Sequence, residues 1–190
     1  KILGDSNPHY FYGIDLTASY KGFDFRCFLQ GVLKHDFWPG ESSYFWGVRG
    51  GYSKWYTIGL EQHNDYFRDQ PIGLEGYELP VNLDSYYPRP ITSANSNGNT
   101  FGSKNQQTQS RYMQNAGYMR LKNLQLGYSL PKSVLDKVGI ANCRVFVSGE
   151  NLLTFTSLSS IFDPETCVGG WGGNAYPLSS TWSFGLSVTF

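Results

Sequence analysis

The stretch Tyr176–Phe190, YPLSSTWSFGLSVTF, constrains the fold more than any other part of the sequence. From Trp182 onward its even positions are Trp182, Phe184, Leu186, Val188 and Phe190, and its odd positions are Ser183, Gly185, Ser187 and Thr189. A period of two places these sets on opposite faces of one strand. The solvent face of a soluble sandwich strand usually carries some long or charged side chains, whereas here it is only Ser, Thr and Gly. Small polar residues suit a crowded barrel interior, and an apolar stripe of this length is costly in water and favourable in lipid. The expectation is an all-β chain whose antiparallel strands belong to a large transmembrane β-barrel.

The same period recurs upstream. In Tyr10–Tyr20, the residues Tyr10, Tyr12, Ile14, Leu16, Ala18 and Tyr20 oppose Gly13, Asp15, Thr17 and Ser19, with Tyr12 and Tyr20 near the two ends where aromatic girdles would lie. Lys21-Gly22 supplies a tight reversal. The chain returns through Phe23–Leu33, with Phe23, Phe25, Cys27, Leu29 and Leu33 outward and Asp24, Arg26 and Gln30 inward. Further strands are expected over 118–130 and 143–153. In the first, Leu124, Leu126, Tyr128 and Leu130 form the apolar side; Arg120 and Lys122 fall on that same side, which predicts a place at a headgroup edge or snorkelling toward it. In the second, Cys143, Val145 and Val147 oppose Arg144, Ser148 and Glu150, although Phe146 breaks the polar face.

Connection lengths set a direction. Lys21-Gly22 and the segment 131–142, with a helical turn expected at Ser133–Val138, are short links on one side. The regions 35–117 and 154–175 are long outer loops on the other, the first rich in proline and polar residues with a short strand-like piece at Trp55–Leu60, the second holding the GGWGG run at Gly169–Gly173. Five strands over roughly 10–20, 23–33, 118–130, 143–153 and 176–190 cannot close a channel, because single-chain bacterial barrels begin at about eight. An open edge in lipid leaves backbone groups unpaired at a cost of several kcal/mol each. The remaining strands must come from upstream sequence, from another fragment of a cut chain, or from other copies.

Composition removes other classes. Lys+Arg and Asp+Glu are equal at 15 each, so charge points to no nucleic-acid partner. No run approaches the roughly 20 apolar residues of a spanning helix, yet 14 Tyr, 13 Phe and 5 Trp coexist with 22 Gly, which fine alternation along strands accommodates. Lys1–Pro8 lacks the features of a signal peptide, so an export signal is expected on a preceding part of the chain. Cys27, Cys143 and Cys167 have no metal-ligand spacing and read as isolated small apolar side chains. His9, His35 and His63 are likewise unsuited to a metal site, Ser148-Gly149-Glu150 is not a nucleophile elbow, and no catalytic set or cofactor motif presents itself.

Four stretches carry a family resemblance: NPHYFYGIDLTASYKGFDF at Asn7–Phe25, YMRLKNLQLGYSLP at Tyr118–Pro131, RVFVSGENLLTFTSLSSIFDPE at Arg144–Glu165, and the stretch Tyr176–Phe190. In this order and spacing they resemble the C-terminal part of SusC/RagA-like TonB-dependent outer-membrane receptors of Bacteroides-like Gram-negative bacteria. The resemblance implies that 1–190 is the C-terminal segment of a 22-stranded barrel whose plug and TonB-contacting box lie upstream. It further implies import of oligosaccharides or peptides with a SusD-like surface lipoprotein as lid, energy reaching the barrel from the TonB complex through the plug, and no bond chemistry on the cargo. Phe190 resembles the terminal aromatic of the barrel-assembly signal. Asp163, Pro164 and Glu165 match a recurrent loop motif to which the sequence attaches no task.

Among the loop aromatics Phe37, Trp38, Tyr44, Phe45, Trp46, Trp55, Tyr56 and Trp171, the tryptophans Trp38, Trp46, Trp55 and Trp171 are the candidates for contact with cargo or lid, since flat rings stack on sugar faces. Self-packing of the loops is the alternative for each. Trp182, Phe184 and Phe190 read as lipid-facing and assembly residues. Asp15, Asp24 and Arg26 read as luminal, with mutual pairing favoured over contact with a plug. Two other functions compete: a soluble surface glycan-binding β-sandwich, which would stay in buffer without detergent, and a passive porin, which would lack an upstream plug.

Overall fold

Alternation of apolar and small polar residues produces five long strands: β1 (His9–Tyr20), β2 (Phe23–Lys34), β5 (Tyr118–Ser129), β6 (Asn142–Thr156) and β7 (Thr181–Thr189). A minor pair, β3 (Asp36–Phe37) and β4 (Gln114–Asn115), and two single-turn helices, α1 (Ser43–Trp46) and α2 (Lys132–Leu135), complete the elements used below. The computed structural model describes residues 1–40, 42–46, 60–89, 107–167 and 175–190. It divides into two compact units, one built on the five-stranded sheet and one on 38–113 with 167–175.

The sheet is wholly antiparallel in the order β1-β2-β5-β6-β7. Chain order and spatial order agree because each strand pairs with the next long one, the simplest meander. Lys21 and Gly22 both have positive φ and close the β1–β2 turn, where Gly22 lies against the Ser129 carbonyl and accepts the Ser129 N–H through its own. The link from Leu130 to Ala141 leaves from that same end, and Ala141 N–H donates to the Thr189 carbonyl there. Both long connections therefore depart from the opposite end.

One face carries Leu16, Phe25, Leu126, Val145, Phe184 and Leu186, and it is uncovered: Trp182 is 59%, Phe184 83% and Leu186 65% exposed. A sandwich would have buried these side chains against a second sheet. Burying an apolar side chain is worth about 1.5–3 kcal/mol, so a face of this size left in water would forfeit most of the sheet's stabilisation. Lipid is the solvent that fits it.

The opposite face is polar, and two irregularities interrupt the pairing, of which the one in β5 changes the expected side of key residues. β2 and β5 are in step from Phe23↔Tyr128 to Phe28↔Asn123, then continue as Leu29↔Leu121 and Gln30↔Arg120, leaving Lys122 as the extra residue. On β6, Asn151 adopts φ 52 and the pairing jumps from Asn123↔Glu150 to Leu121↔Leu153. A one-residue insertion reverses the phase of every side chain beyond it. Arg120 consequently stands with Gln30 on the polar face and is 3% exposed. The expectation of a snorkelling Arg120 and Lys122 on the apolar side is corrected: the bulge turns both inward.

Phe146, the residue out of phase in β6, lies on this inner face above Gly185 of β7, its cross-strand partner. A Cβ at 185 would sit 2.1 Å from the Phe146 ring, so only glycine admits the ring there. The last strand starts at Thr181 rather than Tyr176 because the preceding backbone is engaged elsewhere. Leu178 N–H donates to the Asp163 carboxylate, and the Ser179 carbonyl accepts from the Asn151 amide. The turn expected at Ser133–Val138 is the shorter α2, anchored by buried Leu135.

In the second unit, 60–89 and α1 are packed rather than structureless. Isolated bridges join Tyr66 to Tyr87, Arg68 to Asn82 and Ile72 to Leu79. Arg68 is 5% exposed and donates to the Pro80 and Asn64 carbonyls at 2.8 and 2.6 Å, satisfying backbone groups that a loop would otherwise leave bare. Most of the strand-like piece expected at Trp55–Leu60 lies outside the described residues; Leu60 itself is non-helical chain before a short 3₁₀ turn.

Candidate functional site

The unexplained Asp163-Pro164-Glu165 motif is the centre of the most elaborate polar group in the sheet unit. Thr166 N–H donates to the Asp163 carbonyl at 3.0 Å, which closes a four-residue turn with Asp at its first position and Pro at its second. Both residue types favour those positions, Pro by presetting φ and Asp by accepting from a backbone N–H two residues on. That side-chain bond is present: Glu165 N–H donates to Asp163 Oδ1 at 2.9 Å.

The turn is then fastened to the sheet by charge. Arg120 Nη2 donates to Asp163 Oδ1 at 2.9 Å, and Arg120 Nε to the Thr154 hydroxyl at 2.7 Å. Arg120 Nη1 lies 3.0 Å from Glu165 Oε1, close enough for an ion pair although out of line for a hydrogen bond. Lys122, the bulge residue, reaches Glu165 at 3.1 Å. The Arg120 and Asp163 side chains are only 4% and 6% exposed. Two cations and two carboxylates balance, as buried charges must, because removing one partner strands the others at several kcal/mol. A buried ionic group of this kind adds little net stability over an apolar one; what it adds is geometric definition.

The sequence reading missed Arg120 and Lys122 as partners of the motif because it carried the alternation through unbroken. The signal was present in Lys122-Asn123, two successive polar residues where strict alternation demands one. Such a phase break is the mark of a bulge.

Toward the short-turn end, the inner face holds paired charges. Arg26 donates to both Asp15 oxygens at 3.2 and 2.6 Å, and Arg144 to both Asp24 oxygens at 2.9 and 2.5 Å. Asp15 and Arg26 thus pair with each other, while Asp24 takes Arg144, which also lies 4.9 Å from the Phe146 ring centroid.

The loop unit is organised by aromatic rings. Phe45 is fully buried, in edge contact with Trp46 at 4.9 Å and Tyr87 at 5.4 Å, and Trp46 meets Tyr112 at 4.9 Å. Trp46 is 8% exposed and its indole N–H donates to the Gly40 carbonyl at 2.8 Å, so its face and its polar edge are both occupied within the loop. Trp38 is half-buried, 6.2 Å from Trp46. His63 accepts from Leu60 N–H at Nδ1, which leaves its Nε2–H to donate to the Phe45 carbonyl at 3.1 Å. Burial pushes the Tyr87 and Tyr112 hydroxyls up from their ordinary range. Trp55, Tyr56 and Trp171 lie outside the described residues. Trp182 and Phe184 stand on the uncovered apolar face, and Phe190 is 91% exposed.

Among the described residues, no three His, Cys, Asp or Glu side chains are grouped to hold a metal ion, and the cysteines are unbridged. The arrangement is that of a sheet wall with an anchored turn at Asp163–Glu165.

No protein-family model matches the chain. TonB-dependent receptor P3 of Formosa agariphila is 30% identical over 201 residues, covering 100% of this chain and 17% of that protein. TonB-dependent receptor P26 of the same organism is 25% identical over 200 residues, again covering 100% of the chain and 18% of the relative. The chain therefore spans less than a fifth of the length of these relatives. Among solved structures, that of the RagAB peptide transporter superposes with a TM-score of 0.67 at 24% identity, and the RagAB peptide importer in its closed-closed state with 0.65 at 25%. Each match covers 100% of this chain and 18% of the solved one. Proteins of this kind are receptors and transporters of the Gram-negative outer membrane, not enzymes. Relatives along its whole length and a sheet that overlays on a transporter of known structure support the chain as a fragment of a SusC/RagA-like TonB-dependent receptor, a stretch of antiparallel barrel sheet.

Proposed function

We propose that this chain forms the C-terminal five strands of a TonB-linked importer in the outer membrane of a Bacteroides-like bacterium. It works there beneath a SusD-like surface lipoprotein, with energy delivered by the TonB complex through an upstream plug, and its cargo is an oligosaccharide or a peptide. The observation that carries this reading is the sheet with an uncovered apolar face on one side and paired charges on the other. Among the described residues the end strands β1 and β7 each have a single neighbour, and lipid tolerates such edges only when further strands close the barrel. The peptide named for the RagAB structures favours the peptide arm.

Within the wall, the anchored turn at Asp163–Glu165 shapes the outer mouth. Trp38, Trp55 and Trp171 are the candidates for contact with cargo or lid, while Trp46 holds the loop together. The test is uptake of labelled peptides and labelled oligosaccharides by cells carrying or lacking the receptor gene, alongside fractionation of its product. Recovery of the product in the aqueous fraction without detergent, or equal uptake of both cargo classes by the two strains, would refute the proposal.

A further inference from the structure

The Asp163-Pro164-Glu165 turn is fastened on one side to β5 and on the other to the entrance of β7. On the β5 side the contacts are Arg120 and Lys122; on the β7 side Asp163 Oδ2 accepts from Leu178 N–H at 3.1 Å. Two further bonds hold the same entrance: the Asn151 amide donates to the Ser179 carbonyl at 3.2 Å, and the Ser180 hydroxyl to the Asn151 carbonyl at 2.7 Å. None of the three belongs to the β6–β7 ladder, which begins at Glu150↔Thr181. β5 is not a neighbour of β7 in the sheet, so the anchor at Arg120 is independent of that ladder.

The pattern of β7 cannot choose its own pairing completely. A slip of one residue would turn Trp182, Phe184, Leu186 and Val188 to the polar side and is rejected by the solvent. A slip of two keeps every apolar residue outward and every Ser, Thr or Gly inward. Gly185 beneath Phe146 opposes that slip at one position within the ladder; the turn acts from outside it. From this geometry we infer that the Asp163–Glu165 turn is a register stop: its charge lock to Arg120 and Lys122 fixes the point at which Leu178 is held, and so selects Val147↔Phe184 over pairings displaced by two residues. The buried ionic group thus does what such groups do best, defining one arrangement among near-equivalents.

The test uses the full-length receptor in a background without other cysteines, oxidised after extraction in detergent. Native Cys143 faces Val188, so Val188→Cys reports the native pairing, while Leu186→Cys and Phe190→Cys report slips of two in either direction. The parent receptor is expected to cross-link at Val188→Cys alone; absence of that cross-link would sink the sheet itself, separately from the stop. In Asp163→Ala and in Arg120→Met, which does not touch β7, the Val188→Cys product is expected to fall roughly twofold with a matching gain at a displaced position. Leu178→Pro, which removes the held N–H and no charge, is expected to do the same and decides the matter by the same readout should Asp163→Ala fail to assemble. A merely stabilising role would lower the yield or thermal resistance while every folded molecule still cross-linked at Val188→Cys. That result overturns the inference.

Discussion

Replacing Gly185 with alanine probes a tight contact of the barrel wall. The added Cβ would lie 2.1 Å from Cζ, 2.4 Å from Cε1 and 2.8 Å from Cε2 of Phe146, all inside van der Waals contact. The ring has little room to yield. Its neighbour on the other side is Gly127, and that site is filled by Asp24 and Arg144, whose atoms lie 2.5 Å from where a Cβ would be. Moving Phe146 toward β5 therefore disturbs the Arg144–Asp24 pair as well. Overpacking of this kind costs about 1–3 kcal/mol, and the blocked escape places Gly185→Ala toward the upper end. Large barrels unfold irreversibly, so the quantity to measure is the unfolding rate of the intact receptor in detergent at fixed temperature, followed by the mobility shift between folded and boiled protein. If the cost falls on the folded side of the barrier, the rate rises about 5- to 150-fold. Phe146→Ala alone removes the ring and its stacking on Arg144. The double variant Gly185→Ala/Phe146→Ala, having no ring to clash with, should unfold much more slowly than the two single effects multiplied would predict. Parent-like unfolding of Gly185→Ala, or simple additivity in the double variant, would refute the reasoning.

Other substitutions test other parts of the wall and loop. Phe184→Arg places a charge on the lipid face and is expected to cost about 2–4 kcal/mol near the midplane, read as loss of heat-modifiable barrel, while Ser183→Asn on the inner face is tolerated. Arg120→Met leaves Asp163 and Glu165 buried without their main partner, a loss of about 3–5 kcal/mol, whereas Arg120→Met combined with Asp163→Asn and Glu165→Gln restores part of it in thermal inactivation. Trp46→Ala should expose 42–46 to protease without reducing barrel yield, since its ring and N–H serve the loop; changed cargo affinity with an intact loop would contradict this. Burial holds His35 below the ordinary histidine value of 6.5, against the raising effects of the Ser6 backbone and Asp36. Its contribution is therefore complete above about 6.5 and lost as pH falls from there toward the depressed value, because the unfolded chain binds the proton first. Hydrogen exchange at Ala116, whose N–H donates to the His35 carbonyl, should quicken on acidification beyond the intrinsic pH effect, and His35→Gln should blunt the change.

Much of the wall was legible because alternation acts locally. Away from the bulge the two faces of a strand follow from its own residues, so Phe184 and Leu186 fall on the apolar face, and Asp15 and Arg26 on the polar one, without knowledge of what lies beside them. The family resemblance added the recurrent Asp163-Pro164-Glu165 motif as a landmark but not its purpose. Its partners stand on β5, 43 residues away, and face it only because of a bulge. Trp46 illustrates a similar limit: a tryptophan in a loop reads equally as a binding ring or as packing until its neighbours Phe45 and Tyr112 are placed.

The amino-acid order alone determined that this is an all-β chain with one greasy and one polar side, since period two needs no partner to be expressed. Tertiary pairing decided which side Arg120 and Lys122 occupy, because an unpaired residue at Lys122 and the positive φ at Asn151 exist only relative to neighbouring strands. It also decided that Phe146 may face inward, since the space that admits its ring belongs to a glycine 39 positions further along the chain. Face selection is a property of a strand and its solvent; register, burial of charge and ring packing are properties of contacts between distant segments.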